Sequence, residues 1–225
     1  MPHTLASNGF ALTNSNELRD ALDRHGIDVP ATCVDTMNRY CRLVWKLNES
    51  INLTRHTTYD LFVTRDVLDA CQLAKLLEAG EEILDVGTGA GVPGLLIAML
   101  RSDVQVSVCE SVGKKAAVVD SIIGELNLPV PVYAERAERV LDDFRFSSIT
   151  ARAVGPTWKI LKWFQPHWQS IGRLLLIKGP QWVEERGEAR HRGLLADLEL
   201  RRVTSYPTPG RDADSVILSI RPRCR

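Results

Sequence analysis

The sequence predicts an α/β fold: a mostly parallel sheet with helices on both faces, a terminal antiparallel hairpin and a helical N-terminal cap. Three observations predict it. From residue 81 onward, strand-like apolar runs alternate with helix-length runs, which is the rhythm of βαβ units. The first such strand enters a glycine cluster, "DVGTGAGVPG" at residues 85–94, and an apolar helical run follows. The last two strand runs, "LELRRVTSYP" and "DSVILSIR", are joined by the short loop "TPGRDA" with no helix between them, so they pair as an antiparallel hairpin at the sheet edge.

The elements follow in order. Residues 1–13 show no periodic pattern and are expected to be disordered. Helices are predicted near 15–25, 30–48 and 58–78, and they make a cap over 14–80. In the second helix, Cys33, Met37, Tyr40, Val44 and Leu47 recur at three- and four-residue spacing and share one face. Pro30 suits its first turn, and "NESINLTRHTT" ends the pattern as a polar connector. Strands are predicted at 82–86, 104–109, 130–134, 146–151 and 172–178, with helices at 93–101, 112–126, 156–168 and 181–196. Residues 81–225 then form the ligand-binding domain, packed with the cap as one compact unit.

Composition narrows the class. With 225 residues, 44% apolar and 25% charged, the chain suits a soluble globular protein with a sizeable core. Its apolar runs fall far short of the ~20 residues that span a bilayer. Its N-terminus lacks the basic start and apolar core of a signal peptide. A cytoplasmic location with no membrane partner is therefore expected. Cys33, Cys41, Cys71, Cys109 and Cys224 are scattered and read as small apolar residues in a reducing compartment. The histidines show no metal-ligand spacing.

Zero formal charge argues against a protein that coats nucleic acid generally, but it allows local basic faces. Candidates are Arg39, Arg42 and Lys46; Arg186, Arg190 and Arg192; and Arg221, Arg223 and Arg225. On charge alone, each reads first as a solvated helix face or tail.

The glycine cluster fits two cofactors. Gly89-x-Gly91-x-x-Gly94 matches a dinucleotide fingerprint, whereas Asp85-x-Gly87-x-Gly89-x-Gly91 suits S-adenosylmethionine. In both cases a glycine turn lets the backbone approach a ligand at a helix N-terminus. Glu110, ending "VQVSVCE", supplies the acid for ribose hydroxyls in either case. Asp85 and Pro93 separate the two. A carboxylate at 85 repels a pyrophosphate and suits the ammonium group of S-adenosylmethionine. Pro93 lacks the backbone N–H that a pyrophosphate would use. The rival, a nicotinamide-dependent oxidoreductase, needs a substrate-side acid or base that the sequence does not display.

Six blocks then occur in order: "NLT" (52–54), "LDVGTGAGVPG" (84–94), "ESVGKK" (110–115), "AERAE" (134–138), "ARAV" (151–154) and "LIKGP" (176–180). On these blocks the chain resembles the bacterial 16S rRNA guanine-N7 methyltransferases, the RsmG (GidB) family. The resemblance implies a class I methyltransferase fold that uses S-adenosyl-L-methionine to methylate N7 of a guanine in 16S rRNA. The implied partner is that RNA, within the 30S subunit or an assembly intermediate, and no protein partner is inferred. Carried over by residue, Gly87 and the backbone around Val92 line the methionine and ribose part. Glu110 and Ser111 hold the ribose, Ala137 and Glu138 flank the adenine, and Arg152 closes the site.

The chain departs from the family pattern in three places. Glu110 stands where the family usually has Asp, Arg65-Asp66 where it has Arg-His, and Asp214-Ser215 where it often has a further Arg-His. The last two lower positive or proton-donating character on the RNA side. They motivate a third reading, a ribosome-binding member with weakened catalysis.

N7 of guanine carries no proton, so the implied chemistry needs no general base. The sequence displays neither a Ser-His-Asp set nor a nucleophile elbow. Catalysis is then in-line positioning. The residues expected to position substrate are Arg152 and Lys178, which follow the fourth and fifth strands of the parallel sheet and emerge at the edge that binds ligands. Asn52 and Arg65 are further candidates. The competing readings are an ion pair of Arg152 with Glu138 or Asp85, and a solvated strand-end Lys178. Lys114 and Lys115 are expected at a helix start without touching substrate. Trp158, Trp163, Phe164 and Trp168 are expected to pack in the core or at its edge rather than stack on bases.

Overall fold

A computed structural model describes residues 15–223. The disorder expected for 1–13, and the tail residues Cys224 and Arg225, lie outside the described residues. The cap opens with α1 (Ser15–Arg24) and α2 (Ala31–Asn48). The predicted third helix is a continuous run in three parts: α3 (Tyr59–Leu61), a π-helical segment (Phe62–Val67) and α4 (Leu68–Ala74). Thr58 caps it by accepting a hydrogen bond from the Leu61 N–H.

The second part alternates as the sequence predicts. In order come β1 (Glu82–Val86), α5 (Gly94–Leu100), β2 (Gln105–Cys109), α6 (Gly113–Leu126) and β3 (Val132–Tyr133). Then follow α7 (Ala137–Asp143), β4 (Phe146–Arg152), α8 (Thr157–Phe164), β5 (Ile171–Lys178) and α9 (Trp182–His191). The chain ends on β6 (Leu198–Tyr206) and β7 (Ser215–Pro222). Helix α7 is an addition to the predicted elements. Its seven residues bury only Ala137, Val140 and Leu141, too short a stretch to show helical period in the sequence. The long helix predicted at 156–168 ends at Phe164 and continues as a 3₁₀ segment, Gln165–Ser170, with Pro166 in its first turn.

The sheet has seven strands in the order β3-β2-β1-β4-β5-β7-β6. Strands β1 to β5 pair in parallel, while β7 is antiparallel to both β5 and β6. The hairpin therefore sits at the predicted edge, with its second strand inserted next to β5. Strands buried on both faces need apolar residues throughout, and the central β5 supplies "LLLI". One face packs α1, α2, α4, α5 and α6 into a single apolar cluster with Ile83, Val106, Val108, Leu175 and Ile177. The other face packs α7, α8 and α9 around Leu84, Ile149, Leu174 and Leu176. The cap thus shares the core of the sheet. No described helix is long and apolar enough to cross a membrane.

Candidate active site

The switch between β1 and β4 opens the carboxyl edge of the sheet, where parallel α/β sheets bind ligands. Three cavities lie along it in series. The first, of about 290 Å³, is walled by Gly87, Glu110, Ser111, Glu135, Ala137, Glu138, Val154 and Trp163, among others. The second, of about 190 Å³, shares Gly87 with it and adds Tyr40, His56, Thr88, Gly89, Ala90, Val92 and Arg152. The third, of about 480 Å³, shares His56, Arg152 and Ala153 with the second and adds Arg65, Lys178 and Arg211.

The loop after β1 explains the first two. Gly87 has φ 64°, and a Cβ there would fall 2.9 Å from a methyl of Val154. Only glycine takes that backbone conformation without strain and leaves the cradle open. At the loop's far end, Gly94 starts α5 so close to the sheet that a Cβ would come within 2.7 Å of Val108 and 2.9 Å of Asp85. The loop is braced from below by Asp85. Its carboxylate accepts hydrogen bonds from the Thr88 hydroxyl at 2.6 Å, the Gly94 N–H at 3.0 Å and the Thr150 hydroxyl at 2.8 Å. The β1–β4 register sets Thr150 beside Asp85. The cap holds the loop from above, where the buried Tyr40 hydroxyl donates to the Ala90 carbonyl at 2.9 Å.

Asp85 is fully buried and walls none of the three cavities. The three hydrogen bonds it accepts shape the loop that walls the first two. Burial pushes its pKa up to about 6, against the pull of the Thr88, Thr150 and Gly94 hydrogen bonds.

Glu110 sits where the sequence predicts, at the mouth of the first cavity. One carboxylate oxygen accepts from the Gly89 N–H at 3.1 Å and the other from the Val112 N–H at 2.9 Å. A carboxylate has about four lone-pair sites, so both oxygens keep room for a donor such as a ribose hydroxyl. Glu135 and Glu138 wall the same cavity, and Glu138 is paired with Arg136. Three carboxylates against the single guanidinium of Arg136 leave the cavity acidic, which disfavours a pyrophosphate and suits a cation. The glycine cradle, the fixed Glu110 and the acidic wall fit S-adenosylmethionine. Ser111, Ala137 and Glu138 are all brought to this cavity. Gly89 and Val92 line the second, while Gly91, with φ 97°, turns towards Leu95 instead.

Arg152 lies between the second and third cavities. Its guanidinium pairs with Asp66 at 2.7 Å and Asp69 at 3.1 Å, not with Glu138 or Asp85 as the competing sequence reading had it. Burial disfavours its charge, but Asp66 and Asp69 outweigh that and hold its pKa above the ordinary arginine value. The π-helical segment and α4 together deliver both acids. Asp66 also receives the His56 ring at 2.9 Å, and Asp69 accepts from the Tyr206 hydroxyl at 2.7 Å. The next residue, Ala153, has φ 56°, an uncommon conformation for a residue with a Cβ, at the junction of the two cavities.

Lys178 walls the third cavity and is not the solvated strand-end lysine of the competing reading. It is 9% exposed, pairs with Glu185 at 2.8 Å and donates to the Gly155 carbonyl. Arg65 reaches the third cavity, whereas Asn52 is exposed and walls none of the three. Ser215 walls the third cavity, and its neighbour Asp214 accepts from the Ser205 hydroxyl.

Of the aromatics, Phe164 is core, as expected. Trp158, Trp163 and Trp168 are partly buried against the same core, as expected; Trp163 also walls the first cavity, and Trp158 carries Arg192 over its ring. The basic clusters are mostly engaged locally: Arg39 with the Glu125 carbonyl, Arg186 over Trp182, and Arg221 with Glu199. Sequence reasoning missed Thr88, Thr150, Tyr40, His56 and Arg211. Only Thr88, inside the glycine block, gave a local signal.

Comparisons with known proteins agree with this geometry. A family model described as rRNA small subunit methyltransferase G matches residues 34–212. The ribosomal RNA small subunit methyltransferase G of Rhodopirellula baltica is 56% identical over 191 residues, covering 85% of this chain and 83% of that protein. The protein of the same name from Chromobacterium violaceum is 31% identical over 199 residues, covering 88% and 93%. Among solved structures, an O-methyltransferase from Bacillus cereus in complex with SAH aligns with a TM-score of 0.57 at 15% identity, over 92% of this chain and 99% of that one. M. capricolum TrmK, solved with S-adenosyl-homocysteine, aligns at 0.55 and 13% identity, over 69% and 68%. At such identities the likeness is one of fold, the class I methyltransferase fold. The nicotinamide reading is not favoured. Matched by that model over most of its length and sharing more than half its aligned residues with one such protein, the chain belongs to the rRNA small subunit methyltransferase G family.

Proposed function

We propose that this protein transfers the methyl group of S-adenosylmethionine to N7 of a guanine in 16S rRNA, within the 30S subunit or an assembly intermediate. The observation that carries the reading is the series of cavities. An acidic nucleoside cavity joins, through Gly87 and then Arg152 and Ala153, a larger cavity walled by arginines. Residues 14–80 act as the cap that completes the site and residues 81–225 as the cofactor-binding part. A ribosomal substrate puts the activity in the cytoplasm.

When bound, S-adenosylmethionine supplies an electrophilic methyl on a sulfonium. The protein's own residues do the positioning. Glu110 and Ser111 hold the ribose, Ala137, Glu138 and Trp163 border the adenine, and the Gly87–Val92 backbone borders the methionine part. N7 has a free lone pair and loses no proton, so no side chain need act as a base. Holding donor and base in line can supply ~7–11 kcal/mol of the barrier. Arg152 is a positioning residue: clamped by Asp66 and Asp69, it fixes the wall where the base would enter. Lys178, paired with Glu185, shapes the outer wall in the same way. An accessible loop or single-stranded guanine makes entry cheaper than a paired one.

The test is primer-extension mapping of N7-methylguanine in 16S rRNA from cells with and without the gene. Loss of one modified guanine with the gene supports the reading. An unchanged map would sink it.

A further inference from the structure

The third cavity holds charge that the proposed cofactor does not use. Its wall carries Arg65, Arg152, Lys178 and Arg211 against Asp69 and Glu185. Asp69 is taken up by Arg152 and the Tyr206 hydroxyl, and Glu185 by Lys178 and Thr157. Thr208 and Ser215 hydrogen-bond to each other at 2.8 Å, and His56 faces Asp66. Arg65 and Arg211 remain without a carboxylate partner among the described residues.

Arg65 is the sharper case. Its Nη1 is buried and has no hydrogen-bond partner among the described residues. A buried, unsatisfied guanidinium donor is costly and rare in folded proteins. Its head group lies beneath the β6–β7 turn, 4.0 Å from where a Cβ on Gly210 would sit. The next residue on that turn is Arg211. Burial first, and then the nearby Arg211 charge, hold the Arg65 pKa below its ordinary value, with Asp69 and Asp66 opposing. Two guanidinium groups facing one cavity, neither paired with a carboxylate among the described residues, make a site for an anion. Their planar forks match phosphate oxygens.

We propose that Arg65 and Arg211 together grip one backbone phosphate of the substrate RNA, beside the entry for the target base. This rests on the RNA-methyltransferase reading above and adds the group that is recognised and the residues that recognise it.

The test uses the full chain loaded with S-adenosylhomocysteine, as wild type, Arg65→Gln and Arg211→Gln. Inorganic phosphate is titrated while the arginine Nε–Hε resonances are followed. Phosphate is expected to shift the Arg65 and Arg211 signals in the wild type, and each variant to weaken that binding. In methylation assays each variant is expected to raise KM for the RNA roughly tenfold, about one charge-assisted contact. The slope of log KM against log salt should fall by about 0.7, as for one lost phosphate contact on a single strand. Cofactor affinity should stay unchanged. Arg65→Gln should be at least as stable as the wild type, since it removes an unpaired buried donor. Arg211 is exposed on a turn, so its variant keeps the test open whatever Arg65→Gln does to folding.

Normal methylation with KM and salt slope unchanged in both variants would overturn the phosphate grip alone. Phosphate shifts at both arginines in a protein that methylates no RNA would support the anion site and overturn the reading on which its RNA ligand rests.

Discussion

Glu110 shows how much one side chain fixes at the residue scale. Its two oxygens tie the glycine loop and the start of α6 into one rim. A charged hydrogen-bond acceptor contributes ~1.5–3 kcal/mol, so Glu110→Ala should weaken S-adenosylhomocysteine binding roughly 10–100-fold. Calorimetry measures this, and a change under about threefold would remove the ribose role. Asp85 makes a different prediction. Its folded pKa of about 6 stands above the ordinary 3.8, so the fold favours its protonated form. Its stabilising contribution is complete below about pH 4 and lost as pH rises through about 6, by roughly 3 kcal/mol. In Asp85→Asn that slope should vanish, whatever constant cost the lost acceptor brings. Denaturant unfolding from about pH 4 to about pH 7 reads it; parallel wild-type and variant profiles would refute the assignment.

At the scale of elements, the run from Tyr59 to Ala74 matters most. An uninterrupted α-helix would have been the simple reading of 58–78, yet Phe62–Val67 is π-helical. Wider turns of this kind often mark functional sites. Here the segment carries Asp66 to 2.7 Å from Arg152 at the end of β4, and α4 carries Asp69 to 3.1 Å. The Asp66 that departs from the family pattern is thus a buried partner of Arg152 and His56. Removing one member of a buried ion cluster leaves the others uncompensated, at ~3–5 kcal/mol. Arg152→Ala should therefore lower unfolding stability by about 3 kcal/mol as well as impair methyl transfer, and Arg152→Lys should recover part of the stability. Equilibrium unfolding of both variants decides; full stability in Arg152→Ala would contradict the clamp.

At the scale of the molecule, the cap and the sheet share a core, and hydrogen bonds and ion pairs join them. Tyr40 lies fully inside that core and ends on the Ala90 carbonyl of the glycine loop. Tyr40→Phe keeps the packing and deletes the bond, which should cost ~1 kcal/mol. The loop it steadies should bind S-adenosylhomocysteine a few-fold more weakly. Thermal unfolding with and without ligand separates the two effects; an unaltered ligand-induced shift would uncouple cap from loop.

The sequence by itself determined the sheet, the edge hairpin, the cap helices and the cofactor loop. Each of these is written locally: apolar period sets the elements, and glycines at fixed spacing set the close backbone approach around Gly87. Glu110 was legible for the same reason, because its distance from the loop along the chain is set by one βα unit. What only the tertiary structure decided is how charges pair. Three donors from separate segments meet on Asp85, and Glu185 of α9 meets Lys178. Arg152 meets acids more than 80 residues away, and Arg65 and Arg211 wall one cavity from positions far apart in the chain. Such pairs carry no period and no local spacing, so they exist only once packing has brought distant elements to the same edge of the sheet.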